Sequence, residues 1–229
     1  MLPQINKTRI FFYIISFFIL TTIANYDLKK NLSAHFLIKN IHIETDKPDI
    51  NSKILSKVKY LKNENIFFIN KLKISNELKN LNFLEKISIK KNYPSTLSIN
   101  AKTTNLIAST FINQKKYYLG NNGKLISSKN IKYTKKLPII FGKFKSSEFL
   151  LINTIIKNQG LDLKTINKYY YHKNKRWDLY INNNILVMLP NKDIIDALKL
   201  KKNFINKNPI KSNAIIDLRI SNRIILSYE

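Results

Sequence analysis

Ile10 to Ala24 is an unbroken apolar and aromatic run apart from Ser16, Thr21 and Thr22, with Lys7 and Arg9 before it and Lys29 and Lys30 after it. A full membrane crossing needs about 20 residues. The run reaches that length only if Thr8 to Leu28 is counted, with Arg9 extending its charged end to the interface. Residues 10–28 are therefore predicted to be an uncleaved anchor. A cleavable signal peptide with small residues at Thr22 and Ala24 is the competing reading, and the length of the aromatic core favours the anchor. Either reading exports the remainder of the chain, and the basic residues ahead of the run place the N-terminus in the cytoplasm.

Residues 37–102 change period along the chain. Leu37 to Glu44 reads as a strand with Ile41 and Ile43 on one face, and Asp46-Lys47-Pro48 ends it. Ile50, Ile54, Val58 and Leu61 then recur at helical spacing. Asn70 is placed to cap a second helix whose Leu72, Leu78 and Leu81 are expected to face the same core. Leu84 to Lys91 and Leu97 to Lys102 alternate with period two and are joined by a turn at Tyr93-Pro94-Ser95. The result is a β-α-α-β-β unit.

From Asn105 onward strands dominate, with hairpin signals at Gly120 to Gly123 and at Asn182-Asn183-Asn184. Two helices interrupt them. One starts near Ser146 and stops at Gly160, burying Phe149, Ile152, Ile155 and Ile156. The other is expected to be capped by Asn191 and to bury Ile194, Ile195, Leu198 and Phe204. Trp177, Leu179 and Ile181 alternate with Asp178 and Tyr180, which predicts a strand with one buried face. Ala214 to Arg219 and Arg223 to Tyr228 form the last strand pair, bent at Ser221-Asn222. The fold class is α+β, with a mainly antiparallel second half.

Composition removes several functions. The 229 residues are 44% apolar and contain no Cys, which excludes disulfides and thiolate metal sites. His35, His42 and His172 are scattered, and the four glycines form no phosphate-cradling cluster. A net charge of +26 suggests nucleic acid first, but the lysines are spread without a dense stripe and describe a long-range field rather than a site. No Asp pair or Ser context supports general acid–base or nucleophilic catalysis. The chain is therefore expected to be neither an enzyme nor a cofactor binder.

Arginine is concentrated: Arg176, Arg219 and Arg223 are three of the four, with Arg9 the other. In so lysine-rich a chain, that retention points to planar, bidentate hydrogen bonding. The motifs Asn92-Tyr93-Pro94-Ser95-Thr96-Leu97, Tyr118-Leu119, Leu137-Pro138-Ile139-Ile140-Phe141-Gly142, Arg176-Trp177-Asp178-Leu179, Leu189-Pro190, Ala197-Leu198 and Asp217-Leu218-Arg219 follow in order. Together they resemble the bacterial cell-division family FtsQ, also called DivIB. Thr103-Thr104 and Leu106 depart from its pattern at the domain junction, as does the absence of a glycine near Glu44-Thr45.

The resemblance implies residues 1–9 in the cytoplasm, the anchor, a POTRA domain at 36–103 and an FtsQ-type β-domain at 104–229. It also implies a non-catalytic scaffold of the division machinery, single-pass in the inner membrane with its domains in the periplasm. FtsB and FtsL are the implied partners, bound at a terminal edge strand, and through them septal peptidoglycan synthesis would be influenced. The corresponding residues are Arg219, Ile220, Ser221, Asn222, Arg223, Ile224, Ile225 and Tyr228. An open edge offers N–H and C=O groups to a partner strand, while Arg219 and Arg223 are placed to clamp a carboxylate and Ile220 and Tyr228 to supply anchor area. Tyr228→Ala or Ile225→Pro is then expected to weaken binding without unfolding the domain. Asp217 and Arg219 share a strand face, which leaves an internal pair open as a second role for Arg219. Rival readings are a POTRA-bearing outer-membrane assembly component and a basic exported polymer-binding protein.

Overall fold

The computed structural model describes residues 7–22, 35–131, 133–207 and 210–228. They form two units, one of residues 1–81 and 86–102 and the other of residues 82–85 and 103–229.

In the first unit, helix α1 runs over Lys7–Thr22. Its 16 residues span about 24 Å, short of a hydrocarbon core of about 30 Å. Among the described residues no helix is long and apolar enough to cross a membrane. Residues 23–28, which the predicted anchor includes, lie outside the described residues.

Strand β1 (Asn40–Thr45) is followed by a 3-10 turn at Pro48–Ile50, helix α2 (Asn51–Val58), a second 3-10 turn at Lys59–Leu61, helix α3 (Lys71–Lys79) and strands β2 (Leu84–Asn92) and β3 (Thr96–Thr103). The predicted break at Asp46-Lys47-Pro48 holds because proline fixes the first helical φ and needs no N–H partner there. The sheet order is β1-β3-β2, with β1 parallel to β3 and Ile43 opposite Ile99. The stripe Ile50, Ile54, Val58 and Leu61 is buried, as are Leu97 and Ile99. Asn70 caps α3 by accepting from the N–H groups of Leu72 and Lys73. One expected core residue is misplaced: Leu72 is 76% exposed, and Ile74 is buried beside Leu78. Capping at Asn70 puts Leu72 in the first turn, on the side away from the Ile74–Leu78 face.

The second unit is a nine-stranded sheet. Its strands are β4 (Leu106–Ile112), β5 (Lys115–Gly120), β6 (Leu125–Ser127), β7 (Ile139–Phe141), β8 (Ile166–Tyr171), β9 (Trp177–Ile181), β10 (Ile185–Met188), β11 (Ala214–Asp217) and β12 (Ile225–Tyr228). The order is β12-β11-β10-β9-β8-β7-β4-β5-β6. Most neighbours are antiparallel, but β4–β7, β7–β8 and β10–β11 are parallel. Parallel neighbours need a long crossover, and two of these are the predicted helices: α4 (Ser146–Asn158) links β7 to β8, and α5 (Ile194–Lys207) links β10 to β11.

Register alignment lays one continuous row across the covered face: Ile140, Tyr169, Leu179, Val187, Ile216 and Leu226 on successive strands. All but Leu226 are almost fully buried, and they join Phe149, Ile152 and Ile156 of α4 and Leu198 of α5 in one core. Trp177, 3% exposed, sits among Phe144, Phe149, Tyr169 and Tyr171 with ring centroids 4.7 to 6.2 Å away. The Tyr169 hydroxyl donates to Asn153 Oδ1 at 3.1 Å, and burial pushes its pKa up.

The second helix differs from expectation. It begins at Ile194 rather than being capped by Asn191, after Asp193 adopts a left-handed φ of 54°. Ile195 is 44% exposed, and Ile194 and Phe204 are half-buried. Lys201, 5% exposed, occupies the inward position three residues after Leu198. Burial depresses its pKa.

The open edge strand

The chain's last elements sit at one end of the large sheet. β11 lies between β10 and β12, and β12 has β11 as its one neighbour among the described residues. Alternation fixes which groups β12 leaves open. The N–H of Leu218 donates to Met188 O of β10, so the backbone groups of Ile216 also face β10 and those of Ile215 and Asp217 face β12. Ile215 stands opposite Ser227, and Asp217 opposite Ile225. Ile225 and Ser227 thus spend their backbone bonds inward, while the N–H and C=O of Leu226 and Tyr228 point away from the sheet.

That geometry corrects the substitution suggested by the sequence. Proline at Ile225 removes a bond within the protein's own β11–β12 ladder, so it damages the edge rather than the partner's contact. The strand is also shorter than expected. Of the eight residues assigned to the binding edge, Ile225 and Tyr228 lie in β12. Arg219, Ile220, Ser221, Asn222, Arg223 and Ile224 form the preceding bend, in which the N–H of Arg223 donates to Ile220 O at 3.2 Å and Asn222 has a φ of 59°.

Side chains differ in burial. Ile224 and Leu226 pack toward the core, while Ile220, Ile225 and Tyr228 are each about half exposed. Pro190, Asp193, Ala197, Leu218, Ile220 and Asn222 are among the residues lining a hollow of about 220 Å³ beside the bend.

The uncovered face carries a second row in register: Phe141, Tyr170, Asp178, Met188, Asp217 and Ile225. Phe141 and Tyr170 stack at 5.0 Å. Asp178 is 5% exposed, so β9 is buried on both faces there rather than on one. Its carboxylate accepts from Arg176 Nε at 3.1 Å and Nη2 at 3.3 Å and meets His172 Nε2 at 2.6 Å. Arg176 therefore pairs with Asp178 itself, and His172 is drawn into the same cluster. The i, i+2 spacing of Arg176 and Asp178 is visible in the sequence, but the return of His172 across the β8–β9 hairpin is not.

Arg219 is held by Asp217 through Nε at 2.8 and 2.9 Å and through Nη2, and its own N–H donates to Oδ1 at 2.9 Å. These bonds from Arg219 hold the Asp217 carboxyl below the usual carboxylate range, and Arg176 adds attraction at longer range. A carboxylate depressed in this way adds stability that is fully present above its unfolded pKa of about 4 and is lost as pH falls through the lower folded value. Because Arg219 is 44% exposed, the pair is worth no more than about 1 kcal/mol. Asp217→Asn is expected to lower the urea midpoint at pH 7 and to leave it unchanged at a pH below the folded value, as read by paired urea titrations. Arg223 carries an exposed side chain at the bend.

Fold and edge together define an α+β protein in which a small three-stranded unit precedes a nine-stranded sheet that ends in an open strand. Residues 111–219 match the family model described as cell division protein FtsQ/DivIB, C-terminal. The cell division protein FtsQ of Rickettsia bellii (strain RML369-C) is 29% identical over 191 residues, covering 82% of this chain and 71% of that protein. These two matches support the FtsQ/DivIB family of cell division proteins for this chain. A solved structure of the major extracytoplasmic domain of the trans isomer of DivIB from Geobacillus stearothermophilus is 17% identical, covers 47% of this chain and 98% of that one, and superposes with a TM-score of 0.31.

Proposed function

We propose that this cell-division protein is a non-catalytic scaffold that captures FtsB- and FtsL-type bitopic partners by strand addition along β12, and through them influences septal peptidoglycan synthesis. The observation that carries this reading is the outward projection of the Leu226 and Tyr228 backbone groups from a strand with one neighbour among the described residues. An unpaired strand edge templates another strand, and main-chain bonds then supply affinity while alternate side chains supply selectivity. Ile225 and Tyr228, about half exposed, give the partner apolar and aromatic area. Ile220 stands beside the hollow next to the bend. Arg219 serves first as the partner of Asp217 and keeps its exposed edge for an incoming carboxylate, and Arg223 offers a second cation from the bend.

In this reading residues 36–103 are the POTRA domain and 104–229 the β-domain, both in the periplasm. Helix α1 is the core of an inner-membrane anchor over residues 10–28, with the N-terminus cytoplasmic. Co-purification of the chain with a small bitopic coiled-coil protein tests the partner class. Capture that collapses steeply with salt would instead favour binding to an anionic polymer. The anchor has its own test: the protein is expected to stay with inner membranes through an alkaline carbonate wash. A soluble periplasmic chain beginning near Asn25 would mean cleavage.

A further inference from the structure

The first unit carries an aromatic cluster that its core does not use. Phe67 packs edge-on to Phe36 at a centroid distance of 4.7 Å and stacks on Tyr93 at 4.9 Å. Burial does not follow from this packing: Phe67 is 51% exposed, Tyr93 56% and the neighbouring Phe68 87%. Leu72, four residues beyond Phe68 at the start of α3, is 76% exposed. Large side chains this bare and this close in sequence mark an interaction surface. Lysines accompany them. Lys91 Nζ donates to Phe67 O at 2.9 Å, and Lys71 and Lys73 flank Leu72 in sequence.

We infer that this cluster docks the first unit onto the bilayer surface, with the rings at headgroup depth and the lysines against lipid phosphates. Two features select a lipid surface. Aromatic rings beside cations are the composition that partitions to a membrane interface. The cluster also begins at Phe36, so fewer than fifteen residues separate it from the end of α1 at Thr22. Even fully extended, that chain reaches no more than about 50 Å, which confines the cluster near whatever membrane holds α1. The inference rests on the anchor reading above.

Because the chain has no Cys, one introduced thiol gives one label. The full chain, in phosphatidylethanolamine–phosphatidylglycerol vesicles, is labelled with a polarity-sensitive fluorophore at Leu72→Cys, at Ser56→Cys on exposed α2 surface, or at Ile14→Cys within α1. Headgroup-proximal spin-labelled lipid is expected to quench the Leu72→Cys label several-fold more than the Ser56→Cys label. Adding Phe68→Ser is expected to reduce that difference. Equal quenching at Leu72→Cys and Ser56→Cys, with Ile14→Cys lipid-quenched, overturns the docking surface and leaves the anchor standing. A water-exposed Ile14→Cys label overturns the anchor and the inference with it. Shielding of Leu72→Cys in native membranes but not in protein-free vesicles assigns the cluster to a protein and also overturns the inference.

Discussion

A chain carrying N-methyl-leucine at position 226 is expected to lose partner capture by roughly five- to 150-fold, with its melting temperature close to that of the native chain. The methyl group removes one outward donor and blocks approach of the partner's carbonyl, while the Leu226 side chain keeps its place against Ile216. Losing one main-chain bond and leaving its acceptor unpaired at a dry interface costs about 1–3 kcal/mol, which sets the scale of the loss. The same modification at Ile225 is expected to lower the melting temperature, because that N–H faces β11. Reversal of the two outcomes, read by pull-down and thermal melts of the semisynthetic proteins, would show that β12 pairs in the opposite phase. Tyr228→Ala removes anchor area but no backbone donor, so a smaller loss is expected from it.

The largest expected effect on stability is at Trp177. The indole is buried among four aromatic rings where the helices meet the centre of the sheet. Truncation to Ala leaves a cavity that these rings cannot fill without leaving their rotamers, and costs about 3–5 kcal/mol. At about 2–4 °C per kcal/mol for a protein of this size, Trp177→Ala should melt on the order of 10 °C lower. A shift of a degree or two would mean that the surrounding rings collapse into the space. Partner capture at a temperature where the variant is folded should be unchanged, since Trp177 faces the covered side of the sheet.

Sequence periodicity carries the elements whose burial is one-sided. Ile50, Ile54, Val58 and Leu61 repeat at helical spacing because one stripe meets one sheet, and all four are buried. It fails where a position's role is set by a distant neighbour. Leu72 looks like core by type, but the cap at Asn70 decides its direction. Asp178 looks exposed by alternation, whereas Arg176 and His172 bond to it and bury it from either side of a hairpin. Lys201 occupies an apolar stripe that nothing in its local pattern distinguishes from surface. The tight turn at Asn113-Gln114, with φ of 48° and 61°, joins β4 to β5 without the glycine that usually announces such a turn. For the edge, the hydrophobic residues near the C-terminus are legible as strand. The phase of the backbone bonds depends on the pairing of Leu218 with Met188, a contact between distant residues that no local pattern encodes.

The two margins of the large sheet are unequal. At the far side from β12 stands β6, three residues long, which offers room for one or two main-chain bonds and little more. If a foreign strand adds to β12, the opposite margin offers no comparable length for a second one, so addition is confined to the β12 side. Fibrous self-association, the usual hazard of an uncapped sheet, is thereby limited by a blunt opposite end.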